Sequence, residues 1–303
     1  MTKRQVALLA ATAVAIIYGL TFSIAKDVMP LTVKPFGFIV LRVAGSTLLF
    51  WLFSPWVAPS PLLRSDIPKI IVLSVFGIAL NMLTFFKGLS YTTPIMAAVL
   101  MVTTPLMVFA LSAVLQKERL KLRKLLGILM GLCGTCLLIL YGKEAGGGPL
   151  AGLGNLLVFV NALSYAFYLI KVKELMTRYH PFHLIKWIYT FGLIMVLPFG
   201  WLDLQEVAWA TIDFSIGWKI GFVVVCSTFL TYLLNLYSMR VLKPATVAVF
   251  IYLQPVFATS IAIAQGKDQL NALKIGATLF IFASVYLVTM SRKSKAESLK
   301  PKV

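Results

Sequence analysis

Apolar runs long enough to cross a bilayer follow one another along this chain, separated by short polar connections. They lie near 5–25, 35–54, 69–90, 94–116, 124–142, 151–172, 184–202, 216–239, 244–265 and 274–291. A spanning helix needs about 20 apolar residues to cross the hydrocarbon. With no water there, the backbone must satisfy its own hydrogen bonds, which favours helices. The runs are too long, and lack the alternation, for a transmembrane β-barrel. The pattern therefore predicts an all-α membrane protein of ten transmembrane helices. Two runs are interrupted: the second holds Arg42, and the seventh holds Lys186 and Pro198. The first run follows Lys3 and Arg4 like a signal peptide, but no small-residue cleavage site follows it and Lys26 and Asp27 come directly after. It reads as a retained span.

The polar punctuation repeats. Pro94 matches Pro244, Pro105 matches Pro255, Glu118 matches Asp268, Leu120 matches Leu270 and Lys124 matches Lys274, all at an offset of 150 residues. Near the start of each half the offset drifts, and Tyr18-Gly19 corresponds to Tyr165-Ala166. A Gly-rich stretch, KEAGGGPLAG, separates the halves. The expected organisation is a five-helix repeat over 5–142, a second over 151–291 and a tail over 292–303. Five spans is an odd number, so the second repeat enters the membrane upside down relative to the first. Inverted repeats are a transporter architecture with the solute site near the midplane, between the halves.

Composition supports this picture. Of the 303 residues, 60% are hydrophobic and 13% charged, against about 25% charged in soluble domains. The net charge of +18 sits between apolar runs rather than on one soluble face, so no nucleic-acid partner is expected. Nineteen of the 28 Lys and Arg fall in connections on one side of the ten-span layout and five on the other, the remaining four lying within spans. Basic residues favour the cytoplasmic side, which places both termini in the cytoplasm and the protein in a bacterial inner membrane.

Ionisable groups within a span cost several kcal/mol unless paired or hydrated. Arg42 lies about two turns into the second span. It is expected to contact an anionic group of a solute, which a guanidinium can hold bidentately, or to brace helix carbonyls or a nearby acid. Lys87 is expected either to face a central cavity or to snorkel outward; Lys186 and Lys219, each near a span end, are expected to snorkel. Asn81, Asn161, Asn235 and Gln254 lie inside apolar runs, and Tyr18, Phe22, Tyr165, Tyr168, Tyr232 and Tyr252 are candidate pocket aromatics. Thr103 and Thr104 precede Pro105 as Gln254 precedes Pro255. Pro105 and Pro255 free a carbonyl one turn earlier, which is tolerated where it lines a cavity, or else they mark kinks that serve packing. Gly127, Gly131 and Gly134 allow close helix approach within the monomer.

Chemistry of other kinds finds little support. The pair Cys133 and Cys136 lies inside an apolar helix, and His180 and His183 flank a turn without carboxylate or cysteine support, so no metal and no other cofactor are expected. The sequence has no HExxH, no GxSxG and no phosphate-cradling GxxxxGK[ST]. An enzyme is not expected.

The paired halves, each with an early Tyr-Gly or Tyr-Ala and a proline in the fourth helix followed by an acidic residue (Pro105 with KERL, Pro255 with GKDQL), resemble EamA-type members of the drug/metabolite transporter superfamily. The segment FFKGLSYTTPIMAAVLMVTTP is similar to the third-to-fourth helix region of bacterial members. The resemblance implies a ten-helix secondary transporter that exports a small organic metabolite, such as an amino acid or a related amphipathic compound. It implies helices one to four and six to nine around a central cavity, with Arg42 at the position of an arginine common in the second helix. The expected partners are a small-molecule solute and membrane lipid, and the chain is expected as a monomer or homodimer. An organic-phosphate or nucleotide-sugar carrier is the alternative; it requires Arg42, Lys87 and Lys186 to converge. An intramembrane lipid-modifying enzyme ranks last.

Overall fold

The computed structural model describes residues 1–29, 32–92, 97, 100–117, 122–140, 149–264 and 272–289. Pro94, Glu118, Leu120, Asp268, Leu270 and the tail 292–303 lie outside the described residues, as do the side chains of Phe22, Lys26, Asp27 and Lys274. Every regular element among the described residues is helical. The helices are α1 (Lys3–Val28), α2 (Pro35–Phe53), α3 (67–91), α4 (Thr104–Leu115), α5 (Leu122–Leu140), α6 (Ala151–Leu175), α7 (Pro181–Gln205), α8 (Phe214–Val241), α9 (244–264) and α10 (Ala272–Thr289). Seven segments among the described residues are long and apolar enough to cross a membrane by length and composition, and α4 and 275–289 are shorter apolar helices.

Local chemistry sets the starts. Pro35, Pro181 and Pro244 occupy the first turns of α2, α7 and α9, where a missing N–H costs nothing. Asp213 caps α8 by accepting a hydrogen bond from the Ile216 N–H at 2.8 Å.

Packing follows a two-fold scheme. Helix α2 packs on α7, α4 on α9 and α5 on α10, each on its own counterpart in the other half. The remaining main contacts come in exchanged pairs: α1 on α8 with α6 on α3, and α1 on α9 with α6 on α4. This is the arrangement of two inverted five-helix repeats. Close approach needs small residues. A Cβ on Gly88 of α3 would lie 2.9 Å from the Gly154 carbonyl oxygen of α6. One on Gly131 of α5 would meet Tyr252 and Ser284 of the second half at 2.3 and 2.4 Å. The glycine face of α5 is therefore spent on α9 and α10 of the same chain.

The symmetry reaches the backbone. Helix α3 contains a π-turn at Val75–Ala79 and α8 one at Val225–Leu230, again 150 residues apart at their starts. A π-turn leaves carbonyls out of the helical ladder, and in both halves facing helices take them up. Ser164 donates to the Phe76 carbonyl at 2.6 Å and Tyr232 to that of Gly77 at 3.4 Å. Ser46 donates to the Val224 carbonyl at 3.1 Å.

Arg4 hydrogen-bonds the Thr289 carbonyl, so the start of α1 and the end of α10 share one end of the bundle, here the near end. At this end the α2–α3 and α6–α7 connections are tied together. Asp66, fully buried, accepts from the Tyr179 hydroxyl at 2.9 Å and pairs with Lys69 at 2.8 Å and Arg178 at 3.4 Å. Ser60 accepts from the His180 N–H at 3.3 Å, and the His183 ring lies 3.0 Å from the Ala58 carbonyl. At the far end, the described ties between corresponding segments are an exposed Lys34–Glu206 pair and a Gly37 N–H bond to Asp203 at 3.2 Å.

Candidate functional site

A cavity of about 470 Å³ lies between the two halves, within the range of small-molecule sites. Its wall is largely apolar, and both repeats build it from matching positions. Val14 and Asn161, Tyr18 and Tyr165, Met82 and Tyr232, Phe85 and Asn235, Met101 and Ile251, and Thr104 and Gln254 all line it. Pro105 and Pro255 stand directly behind the last of these pairs. Proline removes the donor for the carbonyl four residues earlier, and those carbonyls belong to Met101 and Ile251, both on the wall. Thr104 donates to the Met101 carbonyl at 2.6 Å. The cavity reaches the far end, where Met29, Pro35 and Leu89 form part of its lining.

Arg42 breaks the symmetry. The register set by Pro35 and Pro181 puts fully buried Ile188 opposite it. Arg42 is the charged side chain on the described wall. Its Nε donates to the Thr228 hydroxyl at 3.1 Å, and its guanidinium lies 6.0 Å from the Phe38 ring centre. Thr228 belongs to the π-turn of α8, and its own hydroxyl donates to the Val223 carbonyl at 2.7 Å. No carboxylate among the described residues lies within ion-pair distance of Arg42.

Two of the lining residues each hold a polar atom that is buried without a partner, Asn161 Oδ1 and Ser227 Oγ. Asn161 donates through Nδ2 to the Asn81 carbonyl at 2.6 Å, and Asn81 returns a bond to the Asn161 carbonyl at 3.3 Å. That clasp fixes the amide and leaves its oxygen unsatisfied. Such an atom costs about 1–3 kcal/mol. Thr231 donates to the Tyr18 hydroxyl at 3.2 Å and orients that ring.

Of the candidates from the sequence, Arg42, Asn81, Tyr18, Tyr165, Asn161, Asn235 and Gln254 meet on this wall. Lys87 and Tyr168 do not. Lys87 is exposed near the end of α3, its ammonium 4.8 Å from the Tyr91 ring centre and 6.0 Å from that of Phe36. Tyr168 is buried against Gly77, where a Cβ would lie 2.5 Å from its ring. Tyr252 also turns away and donates to the Ile128 carbonyl of α5 at 3.1 Å. Lys186 does not snorkel: it is 7% exposed, donates to Ser54 Oγ at 2.8 Å and covers the Trp51 ring at 4.2 Å. Arg42, Lys87 and Lys186 thus do not converge on the described wall. Ser227, Phe85, Phe86 and Phe250 are wall residues that inspection of the sequence passed over. Ser227 lies 150 residues after Gly77, which packs on Tyr168 off the wall, so the repeat register gave no signal for it.

These features define a multi-pass membrane protein with an intramembrane cavity at a repeat interface. The model of the EamA-like transporter family matches residues 5–140 and again 152–290, and the chain belongs to that family of membrane transporters. Relatives include the uncharacterized transporter YetK of Bacillus subtilis, 27% identical over 63% of this chain and 59% of YetK. An uncharacterized transporter of Archaeoglobus fulgidus is 23% identical over 91% of this chain and 95% of its own length. A solved crystal structure at 18% identity superposes with a TM-score of 0.77 over 98% of this chain and all of the other, a likeness of fold alone.

Proposed function

We propose that this protein is a secondary transporter that exports a small organic metabolite, an amino acid or a related amphipathic compound, by alternating access. The observation that carries the reading is the cavity between two inverted repeats, walled by matching residues of both halves with one guanidinium set off centre. Matching walls give the two halves interchangeable roles. A movement of one half past the other then closes the cavity at one end and opens it at the other. Arg42 holds the anionic group of the solute, with Thr228 fixing the guanidinium plane. Tyr18, Tyr165, Asn81, Asn161, Asn235 and Gln254 surround the remainder.

The asymmetry of the ends fits one stage of that cycle. Near-end connections are held by the Asp66, Tyr179 and Arg178 cluster, while the cavity wall extends to the far rim. The excess of Lys and Arg in the connections of the near end supports a cytoplasmic near end in a bacterial inner membrane. The arrangement is then outward-facing, and opening toward the cytoplasm requires release of the Asp66 cluster. No reacting group is assigned, and the protein acts as a carrier rather than an enzyme.

Reconstitution into liposomes tests the proposal. Labelled amino acids and organic anions are expected to cross faster than through protein-free vesicles, with saturation. Fluxes equal to those of protein-free vesicles for every solute tried would overturn it.

A further inference from the structure

The transport reading leaves the charge of the solute open, and the cavity wall carries an argument about it. Arg42 contributes a full positive charge, and no Asp or Glu is among the described wall residues to balance it. Thr228 occupies Nε, which leaves the terminal amino edge of the guanidinium with its two parallel N–H donors. That edge matches the two oxygens of a carboxylate. Neutral polar side chains share the wall with Arg42, among them Tyr18, Asn235 and Gln254. Phe85 and Phe250 bring apolar surface to the same wall.

From this set we infer that the preferred solute is an amphipathic monocarboxylate carrying a neutral hydrogen-bonding group, such as an N-acylated amino acid, rather than a free zwitterionic amino acid. The inference rests on the cavity being the transport site. A monoanion balances the charge of the described wall. A zwitterion leaves that total at +1 and brings an ammonium that finds no carboxylate among the described wall residues, and an unpaired charge is costly away from water. An N-acyl amino acid suits this wall: its carboxylate takes the Arg42 edge, its amide lies among neutral polar groups such as Asn235 and Gln254, and its side chain lies against the phenylalanines.

Four probes with one side chain separate the alternatives: N-acetylphenylalanine (anion), phenylalanine (zwitterion), phenylalaninamide (cation) and N-acetylphenylalaninamide (neutral). The readout is the melting temperature of the purified wild-type protein in nanodiscs, since a ligand of the folded state raises it. N-acetylphenylalanine is expected to raise it with a saturating dose response, and the other three at least tenfold more weakly. Arg42→Gln is expected to abolish the shift; the wild-type ranking stands whether or not that variant folds. A shift from phenylalanine or the cation equal to that from the anion would overturn the inference, as would an undiminished shift in a folded Arg42→Gln protein. No shift from any probe also overturns it. If liposome flux of another metabolite survives any of these results, only the ligand class falls. If flux is absent as well, the transport reading falls with it.

Discussion

Arg42 shows what one residue does in a cavity built by two halves. Its counterpart by register is Ile188, so the guanidinium gives a quasi-symmetric wall a direction. A hydrogen bond to a charged group contributes about 1.5–3 kcal/mol. Arg42→Ala is therefore expected to cut flux of an anionic solute at least tenfold while the protein remains monodisperse and its melting temperature stays within a few degrees. Unchanged kinetics would remove Arg42 from the site. A second residue gives a prediction outside the membrane. His180 caps α7 by accepting from the Phe182 N–H at 3.4 Å. Burial, then Arg240 and His183, lower its pKa below the usual 6.5. The unfolded chain takes up this proton first as pH falls below about 6.5, so stability is present above that value and is lost through the window beneath it. Melting curves between pH 7.5 and 5 should show the decline, and His180→Asn, which caps without titrating, should flatten it. At this scale the sequence was informative about residue type and less so about direction. Tyr165 and Tyr168 lie one turn apart on α6, yet only the first faces the cavity. A helix between lipid and an apolar cavity is hydrophobic all round, so periodicity does not say which face is which. Lys186 misleads for a related reason, because a ring of Trp51 and a hydroxyl of Ser54 make burial of its ammonium tolerable.

Among the elements, the interrupted helices give the site its shape. Prolines made two interruptions legible, Pro105 and Pro255. The π-turns of α3 and α8 carry no such mark in Val75–Ala79 or Val225–Leu230. They depend on acceptors being met from other helices by Ser164, Tyr232 and Ser46, and that is tertiary information. Helix pairing was better signalled, because a run of glycines implies close approach even where its partner is unknown. The partner of α5 is α10, with Tyr252 of α9 beside it. Gly131→Val would drive a side chain into the Tyr252 ring and Ser284, and overpacking of this kind costs about 1–3 kcal/mol or more. A fall of several degrees in melting temperature is expected. Gly276→Ala on α10, where a Cβ meets nothing within 4 Å, should leave the protein as stable or slightly more so, because alanine favours helix over glycine. Equal melting temperatures for Gly131→Val and wild type would contradict the α5–α10 packing.

At the scale of the whole molecule, the repeat connects the sequence with the fold. Offsets near 150 between prolines and tyrosines reappear as exchanged helix contacts, as twin π-turns and as matched cavity residues. Among the described residues, the ties of the near end outnumber those of the far end, a difference that the symmetry does not itself require. They separate two ends that the backbone makes nearly equivalent, as a carrier resting in one of two related conformations requires. Alternating access holds that the near end must open in every cycle, so locking it should stop transport without emptying the cavity. The direct measurement uses a protein with its three native cysteines replaced and with Ser60→Cys and His180→Cys introduced across the near-end connections. It is reconstituted in vesicles loaded with a cell metabolite extract, and the released solutes are identified by mass spectrometry before and after a short thiol crosslinker is applied. The account predicts that at least one small organic solute leaves through the reduced protein and that crosslinking lowers its efflux at least tenfold. Efflux that continues undiminished through the crosslinked protein, or that never exceeds protein-free vesicles, would contradict it.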